Sequence, residues 1–275
     1  MNTGTDDLLA RVERGVGVVT LNRPDRRNAL SRPMLDALAE VLTAFAGDDT
    51  VRALLLTGAG KAFCAGGDVK AFAERGGAAG GEETFEDKVA RQLASQRATT
   101  GALHTFPKPT VAALPGAAAG AGIGLALACD LRVGSPTTVF ATAFAKVGLS
   151  GDYGTTWLLS QIAGPARARR ALLLGDRIDA DTALEWGVLD QVAEDATTHA
   201  FEIAAGLAAG PRQAYASMKQ NLLDAGACSL DEAMAREVPR HLTCGQTDDH
   251  HEAVRAFVER RPPSFRGDPT TPAST

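Results

Sequence analysis

Residues 108–133, "KPTVAALPGAAAGAGIGLALACDLRV", place a strand-like run, a turn of small residues and an apolar helix-like run in immediate succession. The strand-like "VRALLLTGAG" at 51–60 is likewise followed by a loop rich in small residues, "KAFCAGGDVKAF". Strands that alternate with helices in this way are typical of parallel sheets covered by helices. The sequence therefore predicts an α/β fold.

The two ends of the chain differ in character. "RVERGVGVVTLNRP" (11–24) predicts a hairpin of short strands, and Ser31 with Pro33 predicts the start of a helix. From Asp179 onward the pattern is helical, with apolar stripes that predict packing onto another subunit. We predict a core over 1–200, a helical oligomerisation region over 201–262 and a disordered tail over 263–275, with a mobile surface loop at 74–84.

Composition excludes several classes of function. The chain has 275 residues, 45% of them apolar, a net charge of −5 and scattered Lys and Arg, which gives no basic patch for nucleic acid or an anionic membrane. No signal segment or long apolar run is present, and the four cysteines form no CxxC pair, so neither a disulfide framework nor a metal site is indicated. We expect a cytoplasmic protein that binds neither nucleic acid nor membrane.

Two glycine-rich turns, in 58–72 and 115–130, each precede a predicted helix. The backbone N–H groups at such a turn are uncovered and carry positive dipole, so they can hold an anion or a developing oxyanion. A dinucleotide-binding motif does not fit, because Leu125 stands where its third glycine belongs and no acidic residue follows at the required distance. That these glycines only permit close helix packing remains an alternative.

Six stretches together resemble the crotonase, or enoyl-CoA hydratase/isomerase, superfamily and occur in the family's order over nearly the whole chain. They are "NRPDRRNAL" (22–30), "GAGKAFCAGGDVKAF" (58–72), residues 108–133, "AKVGLSGDYGTTWLL" (145–159), "ALLLGDRIDADTALEWGVLDQV" (171–192) and "AFVERRPPSF" (256–265). The resemblance implies a ββα spiral core and a C-terminal helical trimerisation region, hence a homotrimer or a dimer of trimers. It also implies an acyl-CoA thioester as substrate and no permanently bound cofactor.

The resemblance also implies roles for particular residues. The thioester oxygen would be held by the backbone N–H groups of Gly67 and Ala121, a pair that forms an oxyanion hole. The candidates for CoA phosphates are basic and belong to the matching blocks: Arg23, Arg26, Arg27 and Lys61. Ala65 and Val69 match positions of the adenine pocket, and Asp68 either belongs to the CoA site or anchors the loop and caps the next helix.

The acidic residues distinguish this sequence from the hydratases of the family that it resembles. Hydratases of the family use two glutamates, and the matching positions here hold Gly124 and Phe144. Asp152 instead falls where isomerase-like and dehalogenase-like branches carry an aspartate, and its block is most similar to the 1,2-epoxyphenylacetyl-CoA isomerase branch. A helix N-cap is the alternative role for Asp152.

One carboxylate is enough to move a double bond, because it can remove the α-proton and return a proton farther along the chain. We therefore predict an enoyl-CoA isomerase with Asp152 as the base and Phe144 and Trp157 lining an apolar acyl pocket that raises its pKa. Three alternatives stay open: an enoyl-CoA hydratase, a hydrolase or dehalogenase that uses the same aspartate, and a catalytically silent CoA-binding subunit.

Other polar side chains have weaker claims to a role. Cys64 is expected to be buried filler, and His104 is expected at a helix end or beside the acyl group. Four acids of the mobile segment are expected to be solvated surface charges, with a role as a second catalytic acid as the alternative: Glu82, Glu83, Glu86 and Asp87. Arg240 and His241 are expected either to reach a neighbour's CoA or to pack at an interface.

Overall fold

The computed structural model describes residues 1–68 and 84–265, and it contains the predicted alternation of strands and helices. The strands are β1 Leu8–Glu13, β2 Val16–Leu21, β3 Ala53–Gly58, β4 Ala62–Cys64, β5 Thr110–Leu114, β6 Ala117–Ala119, β7 Leu131–Gly134, β8 Val139–Ala141, β9 Arg177–Asp179 and β10 Gln191–Val192. They form a six-stranded sheet in the order β1-β2-β3-β5-β7-β10 and a four-stranded sheet in the order β4-β6-β8-β9. Pairing is parallel except for the β1–β2 hairpin and the β8–β9 pair.

Successive strands alternate between the two sheets. β3, β5 and β7 each enter the larger sheet, and the strands that follow them, β4, β6 and β8, each enter the smaller one. Each turn of the chain therefore adds one strand to each sheet before a helical segment, which confirms the expected ββα spiral. The glycine-rich turns come at the ends of β4 and β6, which are adjacent and parallel, so the topology brings them to the same place.

The described helices are α1 Arg32–Gly47, α2 Phe85–Gln96, α3 Ala102–His104, α4 Ala121–Leu127, α5 Thr155–Ala163, α6 Pro165–Leu174, α7 Ala180–Glu185, α8 Ala196–Ala208, α9 Arg212–Ala225, α10 Leu230–Cys244 and α11 Asp248–Glu259. α1 begins as predicted, with the Ser31 hydroxyl accepting from the N–H of Met34 at 3.2 Å and Pro33 in the first turn. None of the helices in the described residues is long and apolar enough to cross a lipid bilayer.

The larger sheet is covered on both faces. Alternate strand residues such as Leu54 and Leu56 face the main core with α1, while Ala53 and Leu55 face a second cluster with α8. α8 presents a stripe of buried alanines there, which allows the helix to lie close to the sheet: Ala196, Ala200, Ala204, Ala205 and Ala208. The core therefore extends to the end of α8, and the predicted division after residue 200 falls inside this helix.

The helices after α8 leave many apolar side chains exposed: Met218, Leu222, Leu230, Met234, Val238, Leu242, Val254, Phe257 and Val258. Exposed apolar side chains concentrated on successive helices are typical of interaction surfaces. This pattern agrees with the predicted oligomerisation region, and the trimer itself stays a prediction. The predicted disordered tail falls mostly, and the mobile loop at 74–84 almost wholly, outside the described residues.

One long helical segment crosses the molecule over residues 85–104. α2 runs into a π-helical turn at Arg97–Gly101 and then into α3 without a break. A π turn inserts one extra residue and shifts the face that the following residues present. This segment lies against the turn that carries Asp152.

The buried side chain of Asn28 connects the segment 22–30 to the segment 58–72 through hydrogen bonds. Its side chain is fully buried, and its amide donates to the carbonyl oxygens of Ala59 at 2.9 Å and Ala62 at 2.8 Å. Its Oδ1 accepts from the N–H of Arg23 at 2.9 Å. The segment 23–28 is therefore fixed beside the connection from β3 to β4.

We predict that Asn28→Ala lowers the free energy of unfolding by about 3 kcal/mol, because it leaves buried backbone groups without partners, each costing about 1–3 kcal/mol. Asn22→Ala is the matched control, since its amide donates to Asp6 in an exposed contact. That variant should lose less than about 1 kcal/mol. Urea unfolding of both variants measures the difference, and equal losses would contradict the structural role of Asn28.

Candidate active site

The two predicted oxyanion donors lie on backbone segments that touch. α4 begins at Ala121 after Gly120, whose φ of +51° fits a residue without a side chain. Gly66, with φ +83°, passes so close that a Cβ on it would lie 2.6 Å from the Ala119 oxygen and 3.3 Å from the Ala121 nitrogen. Gly67 is the next residue and is exposed. The first N–H groups of an α-helix have no partner within the helix, so the start of α4 brings such donors close to the loop that contains Gly66 and Gly67.

The loop at 65–68 is held in place by the segment 23–30. The N–H of Ala65 donates to the Arg27 oxygen at 2.9 Å, and the N–H of Leu30 donates to the Gly66 oxygen at 2.8 Å. Gly67 pairs with Leu30 as an isolated parallel bridge. The first two family blocks are thus brought together at the predicted site.

The side chain of Arg23 forms structural contacts between the segment 23–30 and the loop at 65–68. Its guanidinium donates to Asp68 at 3.0 Å and to the Ala29 oxygen at 2.7 Å, and it lies 3.6 Å from Asp7. The side chains of Arg23 and Asp68 are only 18% and 10% exposed. Asp68 therefore anchors the loop directly after Gly67, as its structural alternative expected, and Arg23 acts as its partner.

The remaining predicted CoA residues lie on the same two segments. Arg26, Arg27, Lys61 and Ala65 are all exposed, as a binding role requires. Val69 lies outside the described residues. Contact of these residues with CoA stays a prediction.

The fold leaves no space for a side chain at Gly124, the position that matches the first glutamate of the family's hydratases. A Cβ on Gly124 would lie 2.1 Å from the backbone oxygen of Tyr153, and a Cβ on Gly122 would lie 2.9 Å from the Cys64 sulfur. Both glycines of α4 therefore serve close packing, as the structural alternative proposed. No side chain of any kind fits at Gly124 while the 151–154 turn keeps its position.

The position of the second glutamate is filled by an aromatic ring. Phe144 is buried, and its ring atoms lie 3.8 Å and 4.0 Å from where a Cβ of Gly120 would be. This places an apolar wall beside the turn that precedes Ala121. Its predicted position in the acyl pocket is compatible with this placement and stays a prediction.

Asp152 does not cap a helix, so the N-cap alternative is wrong. α5 begins at Thr155 after Gly154, which has no side chain to offer. The turn adopts left-handed backbone at Tyr153, with φ +48°, and at Gly154, with φ +67°. Residues held in such conformations cluster at functional sites. The Thr155 hydroxyl donates to the Gly120 oxygen at 3.4 Å, which ties the turn to the start of α4.

The half-buried Asp152 carboxylate is bound by neutral donors. Gln92 donates to Oδ1 and Oδ2 at 3.3 and 3.2 Å, Gln96 donates to Oδ1 at 2.5 Å, and the N–H of Tyr153 donates to Oδ1 at 2.9 Å. Burial raises the pKa of Asp152, and the hydrogen bonds from Tyr153 and Gln92 oppose the rise. The sequence reasoning missed both glutamines. Their spacing of four residues on one helix was the available signal.

Trp157 is too exposed to form the predicted wall of an apolar pocket that shields Asp152 from solvent. It is 54% exposed, and its ring meets the edge of the His104 ring at a centroid distance of 5.4 Å. His104 ends α3, and burial, together with the charge of Lys219, lowers its pKa. The groups that cover Asp152 are the glutamines of α2, and a role for Trp157 in the acyl pocket stays a prediction.

The other candidates mostly have structural roles. Cys64 is fully buried, and burial raises the pKa of its thiol to about 12, which confirms it as filler. Asp87 forms a capping box with Thr84, and Glu86 is exposed in the same turn. Arg240 donates to Asp224 and Asn221, and His241 is exposed. Glu82 and Glu83 lie outside the described residues.

We predict opposite effects from the same substitution in two helices. Gly124→Ala should lower the free energy of unfolding by about 1–3 kcal/mol, because the new Cβ collides with the Tyr153 backbone. Gly206→Ala, on the exposed face of α8 with open space around it, should raise that free energy by up to about 1 kcal/mol. Denaturant unfolding compares them, and a stabilised Gly124→Ala would contradict the close approach.

Comparisons with known proteins identify the family and support the fold. A family model described as enoyl-CoA hydratase/isomerase matches residues 11–268. A 1,2-epoxyphenylacetyl-CoA isomerase from Escherichia coli is 39% identical over 94% of this chain and 98% of its own length. A protein named probable enoyl-CoA hydratase from Mycobacterium tuberculosis is 40% identical over 79% of this chain and 81% of its own length. The crystal structure of an enoyl-CoA hydratase from Polaromonas sp. JS666 superposes with a TM-score of 0.86 at 31% identity, covering 94% of this chain and 99% of that one. The chain is a member of the enoyl-CoA hydratase/isomerase family.

Proposed function

We propose that this protein shifts a carbon–carbon double bond in an acyl-CoA thioester, with Asp152 as the general base. One observation carries the proposal: Asp152 lies on a turn packed against α4, while the backbone of Tyr153 and the ring of Phe144 fill the two positions of the hydratase glutamates. A hydratase needs one group to activate water and another to protonate carbon. The described part of the site offers one carboxylate for both steps.

The proposed reaction conserves the proton. Asp152 removes a proton from C2 of a 3-enoyl thioester, and the electron pair of that C–H bond moves into the carbonyl to give a dienolate. The N–H groups of Gly67 and Ala121 donate to the resulting oxyanion, each contributing about 3–4 kcal/mol of transition-state stabilisation. The protonated Asp152 then returns the proton to C4, which leaves the 2-enoyl thioester and the free carboxylate.

The environment of Asp152 suits this role. A base works best when its pKa approaches the working pH, and burial raises the pKa of this carboxyl. Its hydrogen-bond donors are neutral, so within the described residues no cationic hydrogen-bond donor or ion-pair partner holds it ionised. The carboxylate can therefore accept a proton and release it.

We further propose that Arg26, Arg27 and Lys61 contact the CoA phosphates, with Ala65 and Val69 near the adenine and Asp68 anchoring the loop between. The similarity to 1,2-epoxyphenylacetyl-CoA isomerase supports isomerisation of a CoA thioester. The exposed apolar side chains of α9–α11 support a homotrimer or a dimer of trimers.

Hydration is the second candidate, favoured by the relatives named enoyl-CoA hydratase. It requires a second acid, which would have to come from a residue other than Gly124 or Phe144. Addition of water to a 2-enoyl thioester by the wild type, at a rate unchanged in Asp152→Asn, would support it.

We predict that Asp152→Asn lowers kcat for conversion of 3-enoyl-CoA to 2-enoyl-CoA by about 10²- to 10⁴-fold, because an amide cannot accept the α-proton. KM should change little, since Asp152 is not proposed to bind CoA. The control is Asp181→Asn, which alters an exposed carboxylate in the first turn of α7. Conversion is followed by the absorbance of the conjugated product, and a full rate in Asp152→Asn would overturn the proposal.

We also predict the direction of the pH dependence. The base must be ionised, so kcat falls as the pH drops through the pKa of Asp152, and burial places that pKa above the usual carboxyl value of 3.8. The acid limb of the kcat profile should therefore have unit slope and a midpoint above that value. A profile flat to lower pH would show that a different group takes the proton.

A further inference from the structure

We infer that Gln92 and Gln96 are positioning residues that clamp Asp152: Gln96 holds Oδ1, Gln92 bridges both oxygens, and Oδ2, which has a lone pair left open, carries the substrate's proton. The inference rests on the proposed function, since it assigns the reacting atom of the proposed base. It adds two residues that neither the family resemblance nor the hydratase positions indicated.

The two oxygens of the carboxylate have different surroundings. Oδ1 accepts from Gln96 at 2.5 Å, from the N–H of Tyr153 at 2.9 Å and from Gln92 at 3.3 Å. Within the described residues, Oδ2 accepts from Gln92 alone, at 3.2 Å. A carboxylate has about four lone-pair positions, two on each oxygen. The lone pairs of Oδ1 are therefore occupied, and a lone pair on Oδ2 stays open to the substrate.

The clamp comes from a helix that is itself fixed against the turn. Gln92 and Gln96 are one helical turn apart on α2, so both amides reach the same carboxylate. Next to them, the Ser95 hydroxyl lies 3.5 Å from the Tyr153 hydroxyl. Within the π turn at Arg97–Gly101, the Thr100 methyl group lies 3.8 Å from where a Cβ of Gly154 would be. The helical segment from α2 through the π turn therefore contacts Asp152, Tyr153 and Gly154. This packing sets the position of both glutamine amides.

The neutrality of the clamp matters for a base. A lysine or arginine in place of the glutamines would orient the carboxylate and also lower its pKa strongly. Neutral amide groups orient the carboxylate and lower its pKa less. The titratable group that faces the carboxylate from its own turn is Tyr153, whose pKa burial raises. The charged residues of α2 are Glu86, Asp87, Lys88 and Arg91, with Arg97 following, and in the described residues only the amides of this helix donate to Asp152.

The inference is tested with the full-length protein by replacing the stronger donor. Gln96→Leu removes a hydrogen bond that favours the charged carboxylate, so the acid limb of the kcat profile should move up by about one pH unit. Plateau kcat should fall about tenfold, because the carboxylate loses its fixed orientation, while KM stays constant. Gln96→Glu keeps the shape and adds a second carboxylate beside the first, so its acid limb should move further in the same direction.

Gln220→Leu on the exposed face of α9 is the matched control and should leave the profile unchanged. A ¹³C NMR titration of the Asp152 carboxyl, assigned with Asp152→Asn, reports the same pKa without turnover. If Gln96→Leu does not fold, Gln92→Asn, which keeps a polar side chain but is too short to reach, takes its place, with a smaller upward shift expected.

The outcomes separate the two levels of the account. If Asp152→Asn abolishes isomerisation and both Gln96 variants keep the wild-type profile and carboxyl pKa, the clamp is wrong and the proposed base stands. If Asp152→Asn isomerises at the full rate, the proposed function fails regardless of what the glutamine variants do. A lower plateau kcat with no movement of the acid limb or of the carboxyl pKa would show that the glutamines serve only packing. That result would also contradict the clamp.

Discussion

The contact between Gly124 and the backbone of Tyr153 is the constraint on which the site depends. The turn at 151–154 can lie on α4 only because residue 124 has no side chain, since a Cβ there would be 2.1 Å from the Tyr153 oxygen. That single approach has two consequences. It removes the space that a glutamate at position 124 would need, and it holds the neighbouring Asp152 beside the helix whose first turn carries Ala121. The same close contact therefore excludes a glutamate at position 124 and positions Asp152.

The surrounding structure stabilises this arrangement from both sides. The strained backbone at Tyr153 is tied to the start of α4 through the Thr155 hydroxyl and the Gly120 oxygen, and it is covered from outside by α2. On the other side of the predicted oxyanion hole, the Arg23–Asp68 pair and the buried Asn28 amide hold the loop that contains Gly67. The backbone on both sides of Asp152 is therefore fixed by hydrogen bonds and packing. This arrangement is consistent with the proposed reaction, in which one group takes a proton and gives it back.

Much of the fold was predictable because its signals are local. The β1–β2 hairpin, the Ser31 cap with Pro33, and the strand–turn–helix units were all evident in short stretches, and the family blocks gave the order of the rest. Of the candidate site, the two glycine-rich turns were evident in the sequence, and Asp152 was named through the family resemblance, while the catalytic roles of all three stay predictions. The four-residue spacing of Gln92 and Gln96 places both on one helix face, but their partner Asp152 is 60 and 56 positions away in sequence, so the spacing alone does not identify the contact. Likewise, the buried alanine face of α8 shows only in the folded structure that the core continues past residue 200.

The central claim, that one carboxylate moves a proton within the substrate and no water is added, is tested most directly by turnover in D₂O. A 3-enoyl-CoA would be converted briefly by the wild-type protein, and the product would be examined by mass spectrometry and ²H NMR. We expect a 2-enoyl-CoA whose deuterium, where present, is at C4, with part of the product unlabelled because Asp152 returns the proton that it removed from C2. No conversion of the 3-enoyl-CoA, while a 2-enoyl-CoA offered in parallel takes up D₂O to give a 3-hydroxyacyl-CoA, would contradict the account.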